Sequence, residues 1–153
     1  MAGLKSIMIS LDSFNEETND KVRGKLNYKL ALKGIKCALK SKLIVRVNSV
    51  ITKINKDDIY DTIIFLYNIG VKNYSAFYFS PIGVGRERFD IWLNPEEYYE
   101  FWEKINAKIK INNINDMNII IEKGYENWEK AKEIDISNFT GCGGGCHNTY
   151  TKR

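Results

Sequence analysis

Apolar and polar positions follow two alternating periods along most of this chain. Residues 5–11, Lys-Ser-Ile-Met-Ile-Ser-Leu, form a strand-length run in which both alternating sets are apolar or small, which predicts a strand buried on two faces. Asp12, Ser13 and Asn15 break the run, and the polar stretch 13–26, ending in Arg23-Gly24, reads as a loop or a short helix. From Asn27 to Ser41 the period lengthens. Tyr28, Leu32, Ile35 and Leu39 recur at steps of three and four, with lysines on the other faces, which predicts an amphipathic helix with Asn27 as its N-cap. Leu43 to Ile51 is a β-branched strand with polar Arg46, Asn48 and Ser49 late in it. Asp57 to Ile69 is helical again, closed by Gly70 at the C′ position. Val71 to Phe79 is a third strand, followed by the glycine-rich Ser80-Pro81-Ile82-Gly83-Val84-Gly85-Arg86. Asn94-Pro95-Glu96-Glu97 starts a helix that is expected to reach about Ala107. Met117 to Glu122 reads as a short fourth strand and 126–132 as a helix. The tail from Phe139 onward is rich in glycine and holds Cys142 and Cys146.

Strand and helix alternating with short connections predict an α/β fold built of βαβ units around a parallel sheet. Ligands in such sheets sit at the carboxyl ends of the strands. Four polar clusters fall there: Ser10 with Asp12, Asn48 with Ser49, Ser80 to Arg86, and Lys123-Gly124.

Composition narrows the function classes. The 153 residues suffice for one domain, and no apolar run approaches the length of a membrane span. The first residues carry no apolar signal segment, so a cytoplasmic chain is expected, with no membrane partner. The net charge of +4 is spread among interleaved Lys, Asp and Glu without a basic stripe, so nucleic acid is not expected as a partner. Ile, Lys and Asn dominate, at 21, 18 and 16 residues, and share A/T-rich codons, so single Asn and Lys residues carry little functional weight. Three cysteines do not make a secreted disulfide framework; metal binding or inert burial fits them better.

Several motifs, in order, resemble radical S-adenosylmethionine (radical SAM) enzymes. Ile9-Ser10-Leu11-Asp12-Ser13, Asn19-Asp20 and Arg23-Gly24 resemble the segment around that family's fourth strand. Val47-Asn48-Ser49-Val50 followed by Asn55 resembles the next strand and loop, most like the molybdenum-cofactor cyclases and the peptide-modifying members. Leu66 to Val71 and Ser80 to Arg86 resemble the sixth-strand region, and Leu93 to Glu97 the helix start after it. Gly141-Cys142-Gly-Gly-Gly-Cys146 resembles the opening of a SPASM-type extension, which binds auxiliary iron–sulfur clusters. The resemblance implies a partial (β/α) TIM-like barrel, about strands 4–6 or 7, over residues 1–125. A linker and the start of a SPASM-like segment would follow over 126–153. The family's CxxxCxxC loop is missing; the CxxxC here is Cys142 to Cys146, and Thr149 stands where a third cysteine would complete the motif.

The resemblance implies S-adenosylmethionine and a [4Fe–4S] cluster as cofactors of the complete enzyme, acting on a peptide or small molecule. This chain is then expected to be a fragment that cannot hold the radical cluster by itself. A separately encoded N-terminal half is a possible partner, and the edge at residues 5–11 is expected to invite association. Ser10 could reach the cofactor's ribose or methionyl group, or simply be a small buried residue. Asp12 could orient its loop by an Asx-type bond rather than touch ligand. Arg23 could hold the methionyl carboxylate in a bidentate pair, or be a solvated residue before a loop glycine. Asn48 could offer donor and acceptor to the ligand, or be one more Asn of many. Gly83 and Gly85 could let backbone approach adenine or ribose, or serve a turn. Cys142 and Cys146, with His147 beside them, are candidate metal ligands that make at most a partial site. The alternative reading is a small non-enzymatic metal or iron–sulfur module using that tail. Cys37 is expected to be a buried, inert thiol.

Overall fold

The computed structural model describes residues 3–122, apart from 82, 113 and 115. The expected helix at 126–132, Lys123-Gly124 and the Cys142/Cys146 tail therefore lie outside the described residues. The chain runs β1 (Ser6–Ser10), α1 (Glu16–Arg23), α2 (Asn27–Leu39), β2 (Ile44–Ile51), α3 (Ile59–Asn68), β3 (Asn73–Tyr78), α4 (Pro95–Ile111) and β4 (Asn118–Ile121). Short 3-10 turns occupy Lys56–Asp58 and Gly83–Ile91. The four strands form one parallel sheet in the order β1-β2-β3-β4. The α/β architecture and every expected strand and helix within the described residues are present.

One face of the sheet is the core. Val45, Val47 and Ile51 of β2 and Tyr74, Ala76 and Tyr78 of β3 point into it and meet Ile35, Ile63, Leu66, Tyr98, Phe101 and Ile105 of the helices. The opposite face is open. Register across the strands sets its side chains in rows: Met8, Arg46, Asn73 and Asn118 in one, and Ser10, Asn48, Ser75 and Ile120 in the next, nearer the carboxyl ends. Such layering is what lines the interior of a closed barrel. The expectation that β1 is buried on both faces is corrected: Ser6 and Met8 lie on the open face, and Met8 is 54% exposed.

Helix ends follow local chemistry. Asn94 accepts from the Glu97 N–H at 2.8 Å, and Glu97 Oε2 accepts from the Asn94 N–H at 2.8 Å, a complete capping box with Pro95 in the first turn. The helix it starts continues a turn beyond the expected Ala107. Gly70 takes φ +95° after α3, as its C′ role requires. Asn27, expected as an N-cap, is instead the first helical residue. The cap position is Leu26, at φ +66°, with no side-chain cap of its own. Asp20 of α1 does that work, its two carboxylate oxygens accepting from the Leu26 and Tyr28 N–H groups at 2.7 and 2.8 Å.

Candidate functional site

Two of the expected residues meet on the open face. Ser10 ends β1 and is paired in register with Asn48 of β2, and Ser10 Oγ donates to Asn48 Oδ1 at 3.0 Å. That bond fixes the Asn48 amide so that Nδ2, which has no partner among the described residues, can donate to a ligand above the sheet. The Ser10 hydroxyl keeps its lone pairs as acceptors. Beneath them Ser49, fully buried, donates to the Leu11 carbonyl at 2.6 Å and accepts from Tyr74 Oη at 2.8 Å. Asn48 and Ser49 are neighbours in sequence and face opposite sides, as strand alternation dictates.

Asp12 and Arg23 are brought together, but with each other. Arg23 Nε lies 2.7 Å from Asp12 Oδ2, and Nη2 donates to Oδ1 at 3.1 Å. The Val50 N–H also donates to Oδ1, at 2.8 Å. Asp12 is 1% exposed and Arg23 24%. Burial pushes the Asp12 carboxyl above its ordinary range, while Arg23 and the Val50 N–H pull it down. Asp12 thus fixes the loop after β1 through an ion pair rather than an Asx turn, and Arg23 spends its fork on protein rather than waiting for a ligand carboxylate.

Asparagines complete this loop. Asn55, fully buried, donates from Nδ2 to the carbonyls of Asp12 and Val50 at 2.8 and 2.9 Å and accepts at Oδ1 from the Thr52 N–H at 2.7 Å. Asn19, also fully buried, accepts from the Asp12 N–H at 2.9 Å. Ser13 Oγ donates to Asp58 at 2.6 Å, and Phe14 N–H to Thr62 Oγ1 at 2.9 Å, tying the loop to the start of α3.

Sequence reasoning passed over Arg46 and Ser75. Arg46 is two residues before Asn48 on the same strand face and forms no ion pair or hydrogen bond among the described residues. It is the one charged side chain in the described rows of that face. The period of two, counted back from Asn48, would have found it, and counted across the register it finds Ser75.

Gly83 opens the 3-10 turn after β3. Gly85 lies against its own protein: a Cβ there would sit 3.4 Å from the Phe79 ring and from the Ser80 carbonyl oxygen. Cys37 is exposed on α2, which corrects the expectation of a buried thiol; Ala31, Ile35 and Ala38 take the buried face of that helix and Cys37 falls beside it. Among the described residues no group of three His, Cys, Asp or Glu side chains could hold a metal ion, and no helix is long and apolar enough to cross a membrane. A [4Fe–4S] cluster therefore does not fit the described residues, whereas the donors and acceptors of Ser10, Asn48 and Arg46 do suit a polar, zwitterionic ligand.

No family model matches the chain. It is similar to the probable GTP 3′,8-cyclase of Saccharolobus islandicus (strain M.16.4 / Kamchatka #3), 30% identical over 112 residues that make 72% of this chain and 36% of the relative. The probable GTP 3′,8-cyclase of Saccharolobus solfataricus is 30% identical over 109 residues, 71% of this chain and 35% of the relative. The AdoMet-dependent heme synthase of Methanosarcina barkeri is 29% identical over 98 residues, 63% and 28% of the two chains. The chain spans about a third of the length of these curated relatives. Among solved structures it resembles anSMEcpe with bound AdoMet and the Kp18Cys peptide, with a TM-score of 0.59 at 14% identity over 73% of this chain and 33% of the other, a likeness of fold alone. These relatives support the radical S-adenosylmethionine superfamily as the group that this chain resembles.

Proposed function

We propose that this chain supplies part of the S-adenosylmethionine-binding wall of a radical SAM oxidoreductase. The observation that carries the reading is the registered pair of Ser10, at the carboxyl end of β1, and Asn48, in the second half of β2, hydrogen-bonded on the open face of the sheet. In this reading the Ser10 hydroxyl and the Asn48 amide bind the ribose or amino-acid part of the cofactor. Arg46, and not Arg23, faces the methionyl carboxylate, because the Arg23 Nε and Nη2 groups are engaged by Asp12. Asp12 and Arg23 become positioning residues that hold the loop beside the ligand. Gly83 and Gly85 shape the turn next to the adenine side.

When bound, the cluster and cofactor would supply the radical chemistry. The ligands of that cluster would lie outside the described residues, with Cys142 and Cys146 belonging to an auxiliary, SPASM-like site. Facing strands would come from elsewhere, a separately encoded N-terminal half being one source. The substrate would be a peptide or a small molecule, and the chain alone would bind without turning over.

Calorimetric titration with S-adenosylmethionine tests the reading. Saturable binding that falls at least tenfold in Asn48→Ala supports it. The absence of saturable binding, or equal affinity in wild type and Asn48→Ala, defeats it.

A further inference from the structure

Strand β1 is an edge of the sheet, and its five residues read Ser-Ile-Met-Ile-Ser, the same in both directions. Lys5 accepts at its carbonyl from the Ile44 N–H, and Leu11 donates its N–H to the Asn48 carbonyl, so the odd-numbered residues turn their backbone groups toward β2. By the same alternation Ser6, Met8 and Ser10 turn theirs outward, where no described residue meets them. An unpaired row of this kind is a template for another strand.

We propose that β1 is the interface of a two-fold homodimer, in which it pairs antiparallel with β1 of a second copy, centred on Met8. Residues directly opposite in an antiparallel pair alternate between those that exchange both N–H···O bonds and those that exchange none. Centring on Met8 sets Met8 against Met8 and Ser6 against Ser10, all in bonding positions, because these are the residues whose groups face outward. Ile7 then faces Ile9 in the non-bonding positions, where side chains come closest. Every outward N–H and C=O of β1 is satisfied, like meets like on each side of the sheet, and no charged side chain of the strand enters the pairing. A shift of register by one residue would set outward-turned groups against inward-turned ones and is excluded. A shift of two, centred on Ile7 or Ile9, keeps the hydrogen-bonding phase but no longer sets like against like or satisfies all three outward residues, so the palindrome selects Met8.

The two-fold axis stands perpendicular to the sheet, so both helix layers stay on one side and α2 lies beside its copy. Gly34 of α2 sits over β1, its Cβ position 3.6 Å from Ile9 Cδ1. One turn earlier on that stripe Leu30 is 68% exposed, and the second copy covers it. Met8 is covered in the same way on the open face. Of the exposed lysines of α2, Lys29 is paired with Glu16, while Lys33 and Lys36 oppose the contact and are screened by salt. A strand of another protein would add to the same groups and displace the second copy, so the dimer is the state of the chain by itself.

Size-exclusion chromatography with light scattering on the full 153-residue chain should give twice the mass of one chain. Met8→Lys sets two like charges across the axis, and Met8→Pro removes an outward N–H without touching the β1–β2 ladder. Both should run as monomers with far-ultraviolet circular dichroism unchanged. Met8→Cys is a second, independent reading. Facing residues in bonding positions have Cα atoms about 5.5 Å apart, within disulfide range, so mild oxidation should give a covalent dimer beyond any formed by wild type. A wild-type monomer at all concentrations overturns the proposal. So do assemblies larger than a dimer, or a dimer that persists in both Met8→Lys and Met8→Pro and fails to cross-link through Met8→Cys.

Discussion

Arg23, at the end of α1, grips Asp12, in the loop after β1, with Nε 2.7 Å from one carboxylate oxygen and Nη2 3.1 Å from the other. The pair closes the loop and helix between them onto the carboxyl end of the sheet. Removing one partner of a buried pair leaves the other charge uncompensated. Arg23→Met should therefore cost about 3 kcal/mol, measured by urea unfolding.

The same pair gives a pH signature. Burial is the larger influence on Asp12 and raises its carboxyl above the ordinary 3.8, so the folded state holds the proton more tightly than the unfolded chain. The contribution of this group is thus fully present below 3.8 and declines as pH rises through the folded value. Arg23 works against that decline. The deficit of Arg23→Met relative to wild type should be largest at neutral pH and narrow on acidification, as Asp12 takes up its proton. A deficit that is constant from pH 7 to about pH 4 would contradict the assignment.

Asn55 joins three backbone groups, one from the loop after β1, one from the end of β2 and one from the loop after β2, through one buried amide. Asn55→Ala orphans the buried Asp12 carbonyl and Thr52 N–H and the part-buried Val50 carbonyl. The expected loss is about 2–4 kcal/mol in chemical denaturation, with Asn55→Asp no better because it lacks the donor.

The helix ends give smaller, separable effects. Gly70→Ala forces a side chain into φ +95° and should cost about 1 kcal/mol. Asn94→Ala removes half of the capping box of α4 and should cost about 1 kcal/mol as well. The two sites share no partner, so their effects on thermal unfolding should add.

Arg46 and Arg23 separate ligand binding from stability. Arg46 touches no protein group among the described residues, so Arg46→Met should leave the unfolding midpoint within about 0.5 kcal/mol of wild type. It should weaken S-adenosylmethionine binding about tenfold or more, as loss of a charge-assisted pair does. Arg23→Met should do the reverse in its larger effect, lowering stability first. Equal loss of affinity in both variants at matched folded fraction would argue against Arg46 as the carboxylate partner.

Much of the fold was legible because its elements announce themselves locally. The β-branched run at 43–51, the three-four period from Tyr28 to Leu39 and the Asn94-Pro95-Glu96-Glu97 start each contain their own cause. What was not legible depends on partners distant in sequence. Asn27 resembles a cap, yet the cap of α2 is Asp20 from another helix. Arg23 looks like a free cation until Asp12 is seen beside it. Codon bias lowers the weight of any single Asn in the sequence, and the structural roles of Asn19 and Asn55, which are fully buried and hold backbone groups of distant segments, are visible only in the fold. Cys37 was misjudged because residue habit was used where helical phase relative to Ile35 and Ala38 decides. In the candidate site, Ser10 is readable from the end of its strand and Asn48 from its polar place late in β2, whereas Arg46 and Ser75 need the register.

The central claim is that S-adenosylmethionine lies on the open face over Ser10, Asn48 and Arg46. Nuclear magnetic resonance of the ¹⁵N-labelled chain, titrated with S-adenosylmethionine, tests it most directly because it locates even weak binding. The account predicts saturable shifts centred on the amides of Ser10, Arg46, Asn48 and Ser75, absent in Asn48→Ala. Shifts confined to the helix layer, or no shifts at saturating ligand in a folded sample, would contradict it.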